Sequence, residues 1–89
     1  MTMHQNEQLT LAKMKTGQTG TVVGVLGGHG LIRRLDALGI RPGKKVTKLS
    51  SALFRGPVIL KVNNTQVAVG FGMARKIVVE VDKYLPGAS

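Results

Sequence analysis

Two glycine-bearing stretches, one on each side of a short basic helix, are the residues of this sequence best placed to do chemistry. Gly27-Gly28-His29-Gly30 precedes the helical run, and Gly39, Gly43, Lys44 and Lys45 come after it. Exposed amides at a helix N-terminus attract anions, so the first reading to test is a phosphate cradle. The spacing argues against it. A P-loop sets four residues between its glycines and then Lys-Ser or Lys-Thr, whereas Gly39 and Gly43 enclose three residues and lead into Lys44-Lys45. The dinucleotide-binding fingerprint fails too, because Arg33 stands where its third glycine belongs. No Ser, Thr, Asp or Asn precedes the helix as a cap, and its first amides can equally meet water or a neighbouring loop.

Metal and catalytic chemistry find less support. His29 is the one histidine inside the patterned region, His4 lies in a polar start without a spaced partner, and the chain has no cysteine. Four carboxylates are spread from Glu7 to Asp82, so the converging ligand set of a closed metal site is not expected. Glu80 and Asp82 fall on the solvent face of one strand, where they read as solvated charges rather than an acid-base pair. No Ser/His/Asp arrangement is suggested. We expect no catalytic residue, no cofactor and no resident metal, and function by binding.

Three aromatics, Phe54, Phe71 and Tyr84, are too few and too scattered for a proline-peptide groove or a single-strand stacking platform. The 51–57 loop is more promising. It carries Leu53, Phe54 and Arg55 between glycine and proline punctuation, and an aromatic beside an arginine is a typical interface anchor. An equal alternative has Phe54 folding back as a plug of the barrel.

Composition bounds these readings. A chain of 89 residues is one domain with a small core, and 43% apolar against 19% charged residues is an ordinary globular balance. The absence of cysteine suits a reducing cytosol. No apolar run approaches the ~18 residues that a membrane span requires, and no targeting signal is seen, so a cytoplasmic protein is expected. The formal charge of +9 favours acidic partners: nucleic acid, an anionic membrane surface or an acidic patch on another protein. The basic residues are scattered, which also fits simple surface solvation.

In chain order, the positioning elements begin with residues 1–8, which read as a disordered N-terminal tail. Leu11 and Met14 share one side of a short helical turn that Thr10 can cap, and Gly17 ends it. A strand over 19–26 alternates, placing Gly20, Val22, Gly24 and Leu26 on one face; its glycines predict a bulge or sharp bend. Leu31, Ile32, Leu35 and Leu38 fit a one-face helical pattern, which predicts a helix over about 30–38 with Arg33 exposed and Arg34 half-packed. Gly39 fits a left-handed helix stop with Ile40 returning onto Leu35, and Pro42-Gly43 suits the centre of a type II turn. Imperfect alternation over 44–50 predicts a bulge or a sheet edge. Residues 57–62 and 65–69 form a hairpin around Asn63-Asn64. Residues 70–75 are a bend or a single helical turn, Ile77, Val79 and Val81 face inward on a last strand, and residues 83–89 are a loose C-terminal tail. The result is a single mainly β domain over 9–82. It reads as a small SH3-like, partly open barrel of about five strands with one inserted helix, an oligonucleotide-binding fold being the nearest rival.

These residues resemble a known family. The pattern Leu11-x-x-Met14-x-x-Gly17, a strand to Gly27-Gly28, and then Arg34-Leu35-x-x-Leu38-Gly39-Ile40-x-x-Gly43-x-x-Val46 is similar to the FeoA family. The similarity continues through Gly56-Pro57-Val58, the 67–69 strand and Ala74-x-x-Ile77-x-Val79, so it covers residues 11–81. Thr16 stands where members often have proline, and Phe71-Gly72 replaces a more helical, charged stretch. The resemblance implies an SH3-like barrel and an accessory or regulatory role in bacterial ferrous-iron uptake. It implies protein-protein interaction with the cytosolic part of the FeoB-type transporter, a GTPase-coupled permease, and carries a family-level association with transition-metal ions. A similar barrel forms the C-terminal domain of iron-dependent repressors. The family supplies no catalytic residues, so the expected contacts are Arg33, Leu53, Phe54 and Arg55. A small basic nucleic-acid-binding barrel is the alternative.

Overall fold

In the computed structural model, which describes residues 3–51 and 56–85 and the side chains of 6–51 and 56–81, the chain forms one antiparallel sheet of six strands. The strands are β1 (Met3–Thr10), β2 (Thr19–Val25), β3 (Lys45–Ser51), β4 (Val58–Val62), β5 (Thr65–Val69) and β6 (Ile77–Leu85). Their order in the sheet is β1-β6-β2-β3-β4-β5, so only the last strand is placed out of sequence, between β1 and β2. Two helices interrupt them, α1 (His29–Ala37) between β2 and β3 and α2 (Phe71–Ala74) between β5 and β6. A 3₁₀ turn, Leu11–Lys13, comes directly after β1. This is the expected mainly β, partly open barrel with one strand more than anticipated.

The additional strand takes in residues 3–8 of the stretch read as a disordered tail, and β6 runs on through residues 83–85 of the stretch read as loose. Met3–Thr10 pairs with β6 in register from Met3 opposite Leu85 to Thr10 opposite Val78. Apolar alternation could not reveal it, because Asn6, Glu7 and Gln8 are exposed and have no core to face. Pairing between β2 and β6 stops at Glu80, so residues 3–7 and 81–85 continue as a two-stranded ribbon. The molecule is accordingly elongated, 44 × 27 × 23 Å.

Local chemistry explains most other elements. Gly39 adopts φ +85°, the Ile40 amide donates to the Leu35 carbonyl at 2.9 Å, and the Gly39 amide donates to the Asp36 carbonyl at 2.9 Å. This is the Schellman end that the sequence predicts. Asn63 and Asn64 both have positive φ, 51° and 64°, as the two-residue hairpin turn requires. Bulges fall in β2 between Val22 and Gly24 and in β3 between Lys48 and Ser50, where glycine content and broken alternation predict them. The bulge in β2 reverses the faces of the residues after it: Val25 packs against the core, while Leu26, expected on the Val22 face, is 61% exposed.

The core is the concave side of the sheet closed by Leu11, Met14, Leu35, Ile40 and Ala74, with Ile77, Val79 and Val81 of β6 at its centre. Gly20 is buried against β6, where an added Cβ would lie 3.0 Å from Val81 Cγ1 and 3.2 Å from the Glu80 carbonyl oxygen. Two smaller expectations fail. Thr10 makes no side-chain cap, and α1 buries only Leu35 of its apolar stripe, leaving Ile32, Leu38 and Arg34 exposed. A helix lying against the rim of a small barrel needs one deep anchor, not a broad apolar face.

Candidate protein-docking site

The residues that the sequence pattern favours are only partly brought into view. Arg33 is exposed on α1 as expected, while Leu53, Phe54 and Arg55 lie outside the described residues. His29 is exposed at the start of α1. The loop before it acts as a backbone device: Leu31 lies so close over Gly27 that a Cβ there would sit 2.7 Å from Leu31 Cδ2. Among the described residues, no cluster of three or more His, Cys, Asp or Glu side chains is placed to hold a metal ion.

What the fold assembles instead is a pair of clefts around α2. The first, of about 590 Å³, lies between α1 and α2 and is lined by Leu31, Gly70, Gly72, Met73, Arg75 and Lys76. The second, of about 330 Å³, lies between the 3₁₀ turn and α2 and is lined by Thr10, Ala12, Lys13, Phe71 and Arg75. The sequence pattern over 70–75 shows a bend or a single helical turn and no cleft, since Arg75 and Lys76 lie far in sequence from Leu31 and Lys13. Only the alternation of Gly70 and Gly72 with Phe71 and Met73 hints at an open surface with apolar walls. Leu26 adds an exposed apolar side chain nearby, its amide donating to the Lys76 carbonyl at 2.7 Å.

Charge on the described surface is lopsided in a way that matters for partners. Asp36 is engaged by Arg41, 2.9 Å away in an exposed ion pair. Glu80 is half-buried and lines a shallow polar cleft of about 250 Å³ with Asn6, Thr21 and Lys45, so it is less solvated than its strand position suggests. The exposed arginines and lysines elsewhere outnumber these carboxylates.

One cation is not a surface charge at all. Lys48 is 3% exposed, and its Nζ donates to the Met14 carbonyl at 2.7 Å and to the Ala12 carbonyl at 3.1 Å. Burial pushes its pKa below the usual lysine value. The side chain ties β3 to the 3₁₀ turn, whose last carbonyls have no helical partner. It occupies an inward position two residues from buried Val46, a parity visible in the sequence that carries its meaning only once the carbonyls are in place.

Comparison with known proteins defines what carries these clefts. The FeoA domain family matches residues 9–81. The chain belongs to the FeoA family. A protein of Methanocaldococcus jannaschii provisionally named Fe(2+) transport protein A is 35% identical over 74 residues, spanning 83% of this chain and 88% of that relative. The crystal structure of an iron uptake regulatory protein, FeoA, superposes with a TM-score of 0.76 at 33% identity, covering 89% of this chain and 99% of the other. The barrel also matches a manganese-dependent transcriptional repressor at a TM-score of 0.78. That likeness, 22% identical over 86% of this chain and 43% of the repressor, concerns fold alone. The SH3-like FeoA fold thus holds, and iron transport is the setting that the family names supply. No described helix is long and apolar enough to cross a membrane.

Proposed function

We propose that this FeoA-domain protein is a non-enzymatic accessory of ferrous-iron uptake, acting in the cytoplasm by binding the cytosolic part of a FeoB-type transporter. The observation that carries the reading is the match of an FeoA domain to residues 9–81. The names of its relatives, Fe(2+) transport protein A and iron uptake regulatory protein, point the same way. A chain with a formal net charge of +9 and clefts walled by apolar side chains supports protein binding, because desolvated apolar anchors supply affinity and charge supplies steering. Arg33 and the Leu53-Phe54-Arg55 segment belong to this proposal as contacts.

The test is association of the purified chain with the transporter's cytosolic portion at low and at physiological salt, together with ferrous uptake in cells lacking the protein. Binding that persists at physiological salt and a change in uptake are expected. No association at either salt, with unchanged uptake, refutes the reading. The charge of +9 also favours a second reading, nucleic-acid binding through phosphates. That reading predicts an affinity that falls steeply with salt, in proportion to the phosphate contacts made.

A further inference from the structure

The two clefts beside α2 share Arg75, which lines both. Their walls are apolar, with half-buried Leu31 and Met73 in the larger cleft and half-buried Phe71 and Ala12 in the smaller. The cations are Arg75, Lys76 and Lys13, and among the described residues no carboxylate lines either cleft. The acid of α1, Asp36, lies more than a helical turn beyond Leu31 and is held by Arg41. Between the walls the floor is open backbone: a Cβ added at Gly70 or at Gly72 would meet nothing within 4 Å. Both volumes reach the range of side-chain-binding and ligand-binding pockets, about 300–1,000 Å³.

We propose that these two clefts form one docking groove for an acidic protein segment that bears two bulky apolar side chains, one for each cleft, with a carboxylate set against Arg75 between them. Charge complementarity selects the occupant: three cations, with no carboxylate among the described lining residues, accept an acidic chain and repel a basic one. The apolar walls decide between protein and nucleic acid. A phosphate backbone would use the cations and leave Leu31, Met73 and Phe71 unfilled, whereas a protein segment uses both. The bare floor at Gly70 and Gly72 lets a partner backbone approach closely, which a side chain there would prevent. The inference rests on the accessory-protein reading for the partner's identity, and on the groove alone for the partner's chemistry.

The experiment is an NMR titration of the full chain with a synthetic acidic peptide carrying one Leu and one Phe anchor. Three variants accompany the wild type. Gly72→Phe fills the larger cleft without changing charge, Arg75→Glu with Lys76→Glu reverses charge at exposed positions, and Lys61→Glu changes charge at an exposed site on β4 away from the groove. The expected result is amide shifts at residue 31 and across 70–76, with affinity lowered about tenfold or more by the first two variants and little by the third. Shifts that map elsewhere, or equal losses in all three, overturn the groove. Duplex DNA that binds the wild type and is lost by charge reversal, but not by Gly72→Phe, assigns the cations to phosphate and also overturns it. The transporter's cytosolic portion serves as a second probe. If every variant retains that partner, the groove is refuted and the accessory reading stands; if the wild type does not bind it, the accessory reading falls and the peptide titration alone decides the groove.

Discussion

Replacing Lys48 by Met tests whether a buried cation holds the 3₁₀ turn to the barrel. The substitution keeps an unbranched stem of similar length and removes the amine, leaving the Ala12 and Met14 carbonyls without the donors seen at 3.1 and 2.7 Å. Hydrogen bonds to a charged group contribute about 1.5–3 kcal/mol each, but the variant also escapes the cost of burying the ammonium. The Ala12 carbonyl takes part in a partly buried bond and can recover water, while the bond to Met14 is buried. A net loss of about 2 kcal/mol is therefore expected, or a Tm lower by about 10 °C for a domain of this size. Lys48→Ala should lose more, since it adds a cavity.

The pH dependence sharpens the assay. Because burial lowers the folded-state pKa of Lys48 below its ordinary 10.5, the unfolded chain binds more protons between those two values. The stability that Lys48 contributes therefore rises as pH climbs through that alkaline window and is constant below it. Urea denaturation of the wild type and Lys48→Met should show a gap that widens with pH there, the contributions of other groups cancelling. A Lys48→Met protein as stable as the wild type, with a gap independent of pH, would refute the reasoning.

Four other single-site or terminal changes have definite expected outcomes. Gly39→Ala places a Cβ at φ +85° and within 3.4 Å of Val62 Cγ1, so thermal unfolding should show a loss of about 1–2 kcal/mol. Gly20→Ala drives a Cβ to 3.2 Å from the Glu80 carbonyl oxygen, a backbone atom that cannot swing aside, and should cost about 1–3 kcal/mol in the same assay. Asp36→Asn breaks an ion pair with both partners about half exposed and should change stability by less than about 0.5 kcal/mol in urea titration. Removing residues 3–8 takes away most of β1 and bares the edge of β6, so the truncated chain should melt earlier and self-associate in light scattering, whereas a disordered tail would be dispensable.

Which parts of this architecture are legible in advance depends on the range of the interactions that set them. The Schellman end at Gly39-Ile40, the Asn63-Asn64 turn and the inward triplet Ile77, Val79 and Val81 are written in neighbouring residues, because positive φ, carbonyl geometry and strand pleat act over a few positions. Even the two bulges announce themselves, one through glycine and one through broken alternation. β1 is illegible for the opposite reason. Its polar residues join the sheet through backbone hydrogen bonds to β6, which leave no side-chain pattern. The face exposed by α1 is misjudged because its periodicity shows which residues are apolar, and only the neighbouring barrel shows how many can be covered.

By itself, then, the sequence determined a single basic barrel domain, the turns and stops that shape it, and, through the run around Arg34-Leu35 and Gly39-Ile40, the FeoA family. Tertiary structure alone decided that Lys48 is a buried clamp rather than one more surface charge, because that depends on carbonyls more than thirty residues away in sequence. It alone also decided that Lys13, Leu31 and Arg75 meet around α2. The sheet order, which inserts β6 between β1 and β2, brings the start, middle and end of the chain to one rim, and no local pattern encodes that meeting.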